Sequence, residues 1–187
     1  ARHAEALVAE GRHETVSGWL GGIPASLEPE TRGWLLYWKA RARLPFDPRE
    51  AKELFSSAFE TFVTTNDDDG LFLSWAGAAE CLLYGWESCR EYEFWIDALV
   101  RKLEERVIPS LSVEGRVAAT MHGALMFRRP ADPSIHRWEK KVRRFLLMSR
   151  FLDADAYALL ALNLFHHDLW CGRTSRAVTL LRSLDGL

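Results

Sequence analysis

The chain has 187 residues, which suits one domain with a continuous core. Its 48% hydrophobic and 27% charged residues are globular proportions and exclude a disordered segment. With 24 basic and 26 acidic residues, the formal net charge of −2 excludes a global pull toward nucleic acid or an anionic membrane.

The three cysteines, Cys81, Cys89 and Cys171, form no CxxC pair, so a disulfide framework is not expected and a reducing cytoplasm is the simplest compartment. They read as small buried hydrophobes. No charged leader precedes an apolar block, and the longest apolar runs fall far short of the roughly 20 residues that span a bilayer. The start at Ala1, already in a helical pattern, suggests a piece of a longer polypeptide.

Nearly every segment reads as helix, and none alternates with period 2. "HAEALVAEG" closes at Gly11, and "RHETVSGWL" stops at Gly21, Gly22 and Pro24. A third helix spans "PETRGWLLYWKARARL", with Pro29 in its first turn. Asp47 then caps a helix beginning at Pro48, whose apolar side gathers Ala51, Leu54, Phe55, Ala58 and Phe62.

"NDDDG" ends that helix. An EF-hand loop registered on Gly70 would put Ala76 where a glutamate must close it, so the acidic run is a turn feeding the next helix. Further helices follow in "LFLSWAGAAECLLYG", "CREYEFWIDALVRKLEERVI", "SVEGRVAATMHGALMF", "SIHRWEKKVRRFLLMSRF", "DADAYALLALNLFHHDLW" and "RTSRAVTLLRSL".

About ten helices joined by short breaks predict antiparallel hairpins. First helices of successive pairs begin near Thr31, Leu71, Ser112 and Asp153, separated by 40, 41 and 41 residues. Each has a small, apolar centre, and each intervening helix is expected to be longer and more charged. Such a period predicts an all-α fold: a right-handed superhelix of about five antiparallel hairpins over residues 1–187.

Ala51, Phe55 and Ala58 stand at the second-helix spacing of a tetratricopeptide repeat, although the first-helix motif is incomplete and the period is about six residues above the usual 34. Gly11, Arg12, Trp19, Leu20, Ile23 and Pro24, in "EGRHETVSGWLGGIP", resemble the helical-repeat region of large bacterial regulators, the LuxR-type and maltose-activator type. That resemblance covers roughly residues 1–65. It implies nucleotide-binding and DNA-binding domains elsewhere in the parent chain, and a repeat region that receives an inducer or a partner protein.

The chain carries no P-loop, GxSxG, HExxH or GxGxxG. In "NLFHHDLWC", His166 and His167 diverge by about 100° on a helix and cannot easily hold one ion. The basic side of residues 135–150 (Arg137, Lys140, Lys141, Arg144) reads as a solvated face opposite Ile135, Trp138, Val142, Phe145 and Leu146. Trp34, Trp75, Trp95 and Trp138 fall among apolar neighbours. Trp38, Trp86 and Trp170 lie closer to helix ends or polar sequence and are the better candidates for exposed anchors, although a core or capping role ranks first for them too.

The expected function is therefore a non-enzymatic recognition module of a bacterial transcriptional regulator, with no cofactor, no metal and no direct nucleic-acid contact. Non-core positions of the first helices, Tyr37, Arg41, Glu80, Tyr84, His122, Asn163 and His166, are the candidate ligand or partner contacts. The alternatives are a metal protein or enzyme using His122, His166 and His167, and a linker that only transmits motion.

Overall fold

A computed structural model describes residues 2–23, 27–85, 89–148 and 152–184. Pro24, Trp86 and the end of the expected basic helix at 149–150 lie outside the described residues. The described residues form ten α-helices and no strand. These are α1 (Arg2–Ala9), α2 (His13–Gly21), α3 (Pro29–Arg43), α4 (Pro48–Thr65), α5 (Asp68–Gly85), α6 (Tyr92–Glu105), α7 (Leu111–Arg128), α8 (Ile135–Leu146), α9 (Ala154–Trp170) and α10 (Thr174–Leu184), with a 3-10 turn at Cys89–Glu91. No helix among them is long and apolar enough to cross a membrane.

Local chemistry sets the breaks. Gly11 (φ +74) and Gly172 (φ +69) end α1 and α9 in the left-handed region, where a side chain is strained. In both turns the following N–H, from Arg12 or Arg173, reaches five residues back to Leu7 or Asp168, satisfying a carbonyl the helix end leaves open. Asp47, Asp67, Ser110 and Asp153 each accept a backbone N–H three residues on, capping α4, α5, α7 and α9.

Helices adjacent in sequence pack antiparallel. Phe62 of α4 meets Gly33 near the start of α3, while Phe55, earlier in α4, meets Tyr37 farther along it. The same two rings lie against Gly70 and Gly77 of α5. Alternate helices make contacts at offsets that bracket 40: 36 residues for Glu80–Arg116, 44 for Ala119–Asn163 and 45 for His122–His167. Helices α3, α5, α7 and α9, whose starts lie about 40 residues apart, touch in succession. Helices α4, α6 and α8 each bridge two of them.

Buried side chains cover nearly all sides of α5 and α7, while α6 and α8 bury one stripe. The lengths correct the expectation that intervening helices are longer. Helices α3, α5, α7 and α9 have 15, 18, 18 and 17 residues, whereas α6, α8 and α10 have 14, 12 and 11; only α4, with 18, fits. A helix covering one side of the core needs only enough turns to carry its apolar stripe. The cysteines are also corrected: Cys81 is buried, but Cys89 and Cys171 are exposed.

A Cβ built on Gly77 would stand 2.4 Å from the Phe55 ring, so this helix interior admits only glycine at that point. Alanine normally gains about 1 kcal/mol over glycine within a helix. Gly77→Ala is expected to reverse that sign and cost about 1–3 kcal/mol through overpacking. Gly18→Ala, with nothing within 4 Å, is expected to stabilise. Urea midpoints of both variants check the contrast.

Candidate functional site

The candidate site is a charged seam where α3, α5, α7 and the start of α9 meet. Glu80 lies at its centre, 3% exposed, between Arg41 at 8% and Arg116 at 4%. Arg116 Nη2 donates to Glu80 Oε2 at 2.8 Å, Arg41 Nη1 approaches the same oxygen at 3.7 Å, and Thr120 Oγ1 donates to Oε1 at 3.4 Å. Two carboxylates from the first turn of α9 and its cap complete the seam. Arg41 Nη2 bonds Asp155 Oδ2 at 2.5 Å, and Arg116 Nη1 spans both oxygens of Asp153 at 3.2 and 3.3 Å.

Burial of charge demands this pairing, because an isolated ion in a low-dielectric interior is strongly disfavoured. Burial opposes ionisation of Asp153, but Arg116, the Ala156 N–H and Arg41 overcome it and hold its carboxyl below the ordinary range. Burial opposes the charge of Arg116 too; Glu80 and Asp153 outweigh it and keep the guanidinium protonated. Burial raises the Tyr37 phenol, so it stays neutral.

Two clefts share Arg41, Arg116, Asp155 and Val8. The larger, 330 Å³, runs along Trp34, Tyr37 and Trp38; the smaller, 220 Å³, along His13, Leu44 and Tyr84. Tyr37 sets edge-to-face against both tryptophans, with ring centroids 5.5 and 5.0 Å away. That locks the aromatic wall in place.

The candidate residues separate into groups. Arg41 and Glu80 are joined in the seam, and Tyr37 and Tyr84 line its clefts. The expectation that these positions are non-core is corrected for Tyr37, Arg41, Glu80, His122 and Asn163, all buried; Tyr84 is 51% exposed and His166 half-buried. Register explains the difference: contact with both neighbouring first helices buries faces that one helix alone would leave open. Asn163 Nδ2 donates to Ala119 O at 3.0 Å, locking α9 to α7. His166 turns away and stacks on Trp170 at 6.0 Å.

His122 belongs to a second polar cluster. Its Nε2 lies 3.2 Å from Nδ1 of His167, which Arg173 Nη2 also approaches at 3.2 Å. Arginine only donates, so His167 Nδ1 accepts and the network assigns the proton to His122 Nε2. Glu139 binds Arg143 and Arg173 at 2.8 and 2.9 Å, and Asp168 pairs with the same two arginines. Burial, then the neighbouring His167, lowers the His122 pKa to about 3. Burial also lowers His167. Among the described residues, no group of three or more His, Cys, Asp or Glu is placed to hold a metal ion.

On α8, Ile135, Trp138, Val142 and Phe145 of the expected apolar stripe are buried, whereas Leu146, the last residue of the helix, is half-buried. Its basic side is partly neutralised: Lys141 bonds Glu114, and Arg144 approaches the same carboxylate at 3.6 Å. Of the tryptophans, Trp75, Trp95 and Trp138 are core. Trp34 is half-buried and donates to Asp67 at 2.8 Å; Trp38 is half-buried rather than exposed, and Trp170 is exposed.

Sequence reading missed Arg116, Asp153 and Asp155. For Arg116 the available signal was charge set among small and apolar residues in successive first helices, in "WKARA", "AAEC" and "EGRVAA"; Asp153 and Asp155 lie outside those runs. No protein-family model, curated protein or solved structure matches the chain.

Proposed function

We propose that the chain is a non-enzymatic recognition module of a bacterial transcriptional regulator. In this reading it is a single helical-repeat domain: the helix pairs continue one another as a right-handed superhelix of about five hairpins, and the seam lies on its inner face. A small-molecule inducer or a segment of a partner protein docks there, inside the cytoplasm. Flanking nucleotide-binding and DNA-binding domains turn that docking into a change of transcription.

The observation that supports this is the convergence of Arg41, Glu80, Arg116 and Asp155, from four helices, beside two clefts of 330 and 220 Å³. Small-ligand sites combine apolar walls with a few placed polar groups, and the larger cleft lies at the lower end of their usual volumes. The resemblance carried by Gly11, Arg12, Trp19, Leu20 and Ile23 supplies the regulatory half of the reading.

Two measurements test the two halves. A thermal-shift screen with pooled amino acids, sugars, nucleotides and organic acids is expected to find one stabilising pool, since a ligand of the folded state raises its stability by mass action. Hydrogen exchange should then show protection at the first turns of α7 and α9. Stabilisation by no pool and by no partner protein defeats the recognition reading. The flanking coding sequence is expected to encode a nucleotide-binding and a DNA-binding domain; a catalytic domain in their place defeats the regulator assignment.

A further inference from the structure

Away from the seam, α8, α9 and α10 bound a cleft of 590 Å³. Leu146, Leu147, Tyr157, Leu164 and Leu180 give it an apolar lining, and Leu147, just past α8, is 89% exposed. One wall is a row of small residues on α10, Ser175, Thr179 and Ser183, at i, i+4 and i+8. The Thr179 and Ser183 hydroxyls donate to carbonyls of their own helix, Ser175 O at 2.9 Å and Leu180 O at 2.6 Å. Arg143, also in the lining, is already engaged by Glu139 and Asp168. Among the described residues, no buried polar side-chain atom of the lining lacks a hydrogen-bond partner. Covering this cleft therefore strands no polar group and removes apolar surface from water.

The charge around it has one sign. Residues 134–184 hold nine lysines and arginines against four aspartates and glutamates, in a chain whose net charge is −2. All four carboxylates are committed: Glu139 and Asp168 to Arg143 and Arg173, Asp153 to Arg116, and Asp155 to Arg41. Arg176 lines the cleft, is exposed, and has no carboxylate partner among the described residues. Lys140 is exposed and equally unpartnered, and its spacing of three and seven residues puts it on the side of α8 that carries Arg143 and Leu147. The two free cations thus belong to different walls, one to α8 and one to α10.

We propose that this cleft docks an acidic amphipathic helix of a partner protein. Its apolar side lies on Leu146, Leu164 and Leu180, the small α10 residues let its backbone approach closely, and its flanking carboxylates meet Lys140 and Arg176. A helix satisfies its own backbone groups, whereas an extended peptide would bring N–H and C=O groups into a lining with no unmet partner for them. The α8 and α10 walls, 12 and 11 residues long, offer about 16–18 Å, or roughly three helical turns. This surface is separate from the seam and does not depend on what the seam binds.

The probe is a fluorescein-labelled peptide of about 18 residues, long enough to form a helix, with leucines at i, i+3, i+4 and i+7 and glutamates flanking them. Polarisation titration with the whole chain is expected to show binding below roughly 100 μM. Replacing the glutamates by lysines, or the leucines by serines, should weaken it at least about tenfold. Lys140→Glu with Arg176→Glu should reverse the preference between the glutamate and lysine peptides. Thr179→Trp, which fills the cleft from an exposed position, should weaken the glutamate peptide about tenfold with an unchanged urea midpoint. Arg101→Glu, an exposed charge reversal on α6, should change nothing.

No binding of the glutamate peptide at roughly 100 μM overturns the proposal. So does equal binding of the lysine peptide, or an Arg101→Glu effect as large as that of the cleft variants. Vesicles of phosphatidylserine in phosphatidylcholine, and a DNA duplex, are the competing polyanions. If either binds the chain through Lys140 and Arg176 while the peptide does not, the surface belongs to a lipid or a nucleic acid and the proposal falls.

Discussion

Replacing Glu80 by leucine is expected to destabilise the fold by about 3–5 kcal/mol, although leucine is apolar, similar in volume and a good helix former. Glu80 is the anion shared by Arg41 and Arg116, and all three are nearly excluded from solvent. Removing it leaves two guanidiniums facing each other in a medium where charge is poorly screened. Arg41 keeps Asp155, whose side chain is 59% exposed, but Arg116 keeps only its long contacts to Asp153. The unpaired Arg116 therefore carries most of the penalty.

The test of that mechanism is the double variant. Arg116→Leu alone strands Glu80 against Arg41 at 3.7 Å, so it should also be costly. Glu80→Leu with Arg116→Leu removes both buried charges, and buried ion pairs replaced by apolar groups are often neutral or stabilising. The double variant should thus recover at least about half of the loss of the worse single one, as groups in one network couple strongly. Urea unfolding of the three variants measures it. Additive losses would show that the residues act separately, and the electrostatic account of the seam would fail.

Sequence reading reached the helices because their ends are written locally. Asp47 before Pro48, Gly11 after an apolar turn and Asp153 before an apolar run each act within one turn of the residue itself. The α4 stripe was largely legible: Ala51, Phe55, Ala58 and Phe62 are buried as their spacing predicts, while Leu54 at its edge is half-buried. The period near 40 also survived, as the offset between Ala119 and Asn163 shows.

Pairing across the stack was another matter. Whether Glu80 faces solvent or Arg116 depends on the rotation of α5 against α7, and one residue of phase turns a side chain by about 100°. Nothing within fifteen residues of either encodes that rotation. The same holds for His122 and His167, 45 residues apart and in contact. Adjacent His166, the more conspicuous in sequence, points elsewhere.

That histidine pair makes stability depend on pH in a window where few other groups act. An unfolded histidine titrates near 6.5, while His122 in the fold does so at about 3. Between those values the unfolded chain binds a proton that the native chain refuses. Stability is therefore fully present above about pH 6.5 and is lost as pH falls, by about 1.4 kcal/mol per unit for His122 alone. His167, also lowered, adds in the same direction. Glu139 and Asp153, whose carboxyls are held below the ordinary range, lose their contribution only in stronger acid.

The histidines thus own the interval from about pH 6.5 to 5, where carboxylates remain ionised. His122 on α7 is met there by Glu139 and Arg143 from α8, His167 and Asp168 from α9, and Arg173 beyond it. A proton on His122 puts a cation among two arginines whose carboxylates are already engaged. Urea midpoints measured from pH 8 to 5 should stay level and then drop. His122→Gln, whose amide can still donate to His167 Nδ1, should flatten that drop by removing one titrating site while keeping the hydrogen bond. A midpoint unchanged down to pH 5 in the native chain would contradict a buried neutral pair. An equal drop in the variant would move the effect off His122. With the predicted slope, acid should loosen the packing of α9 against α7 and α8 first, and hydrogen exchange at pH 5 should report it in the second half of α9.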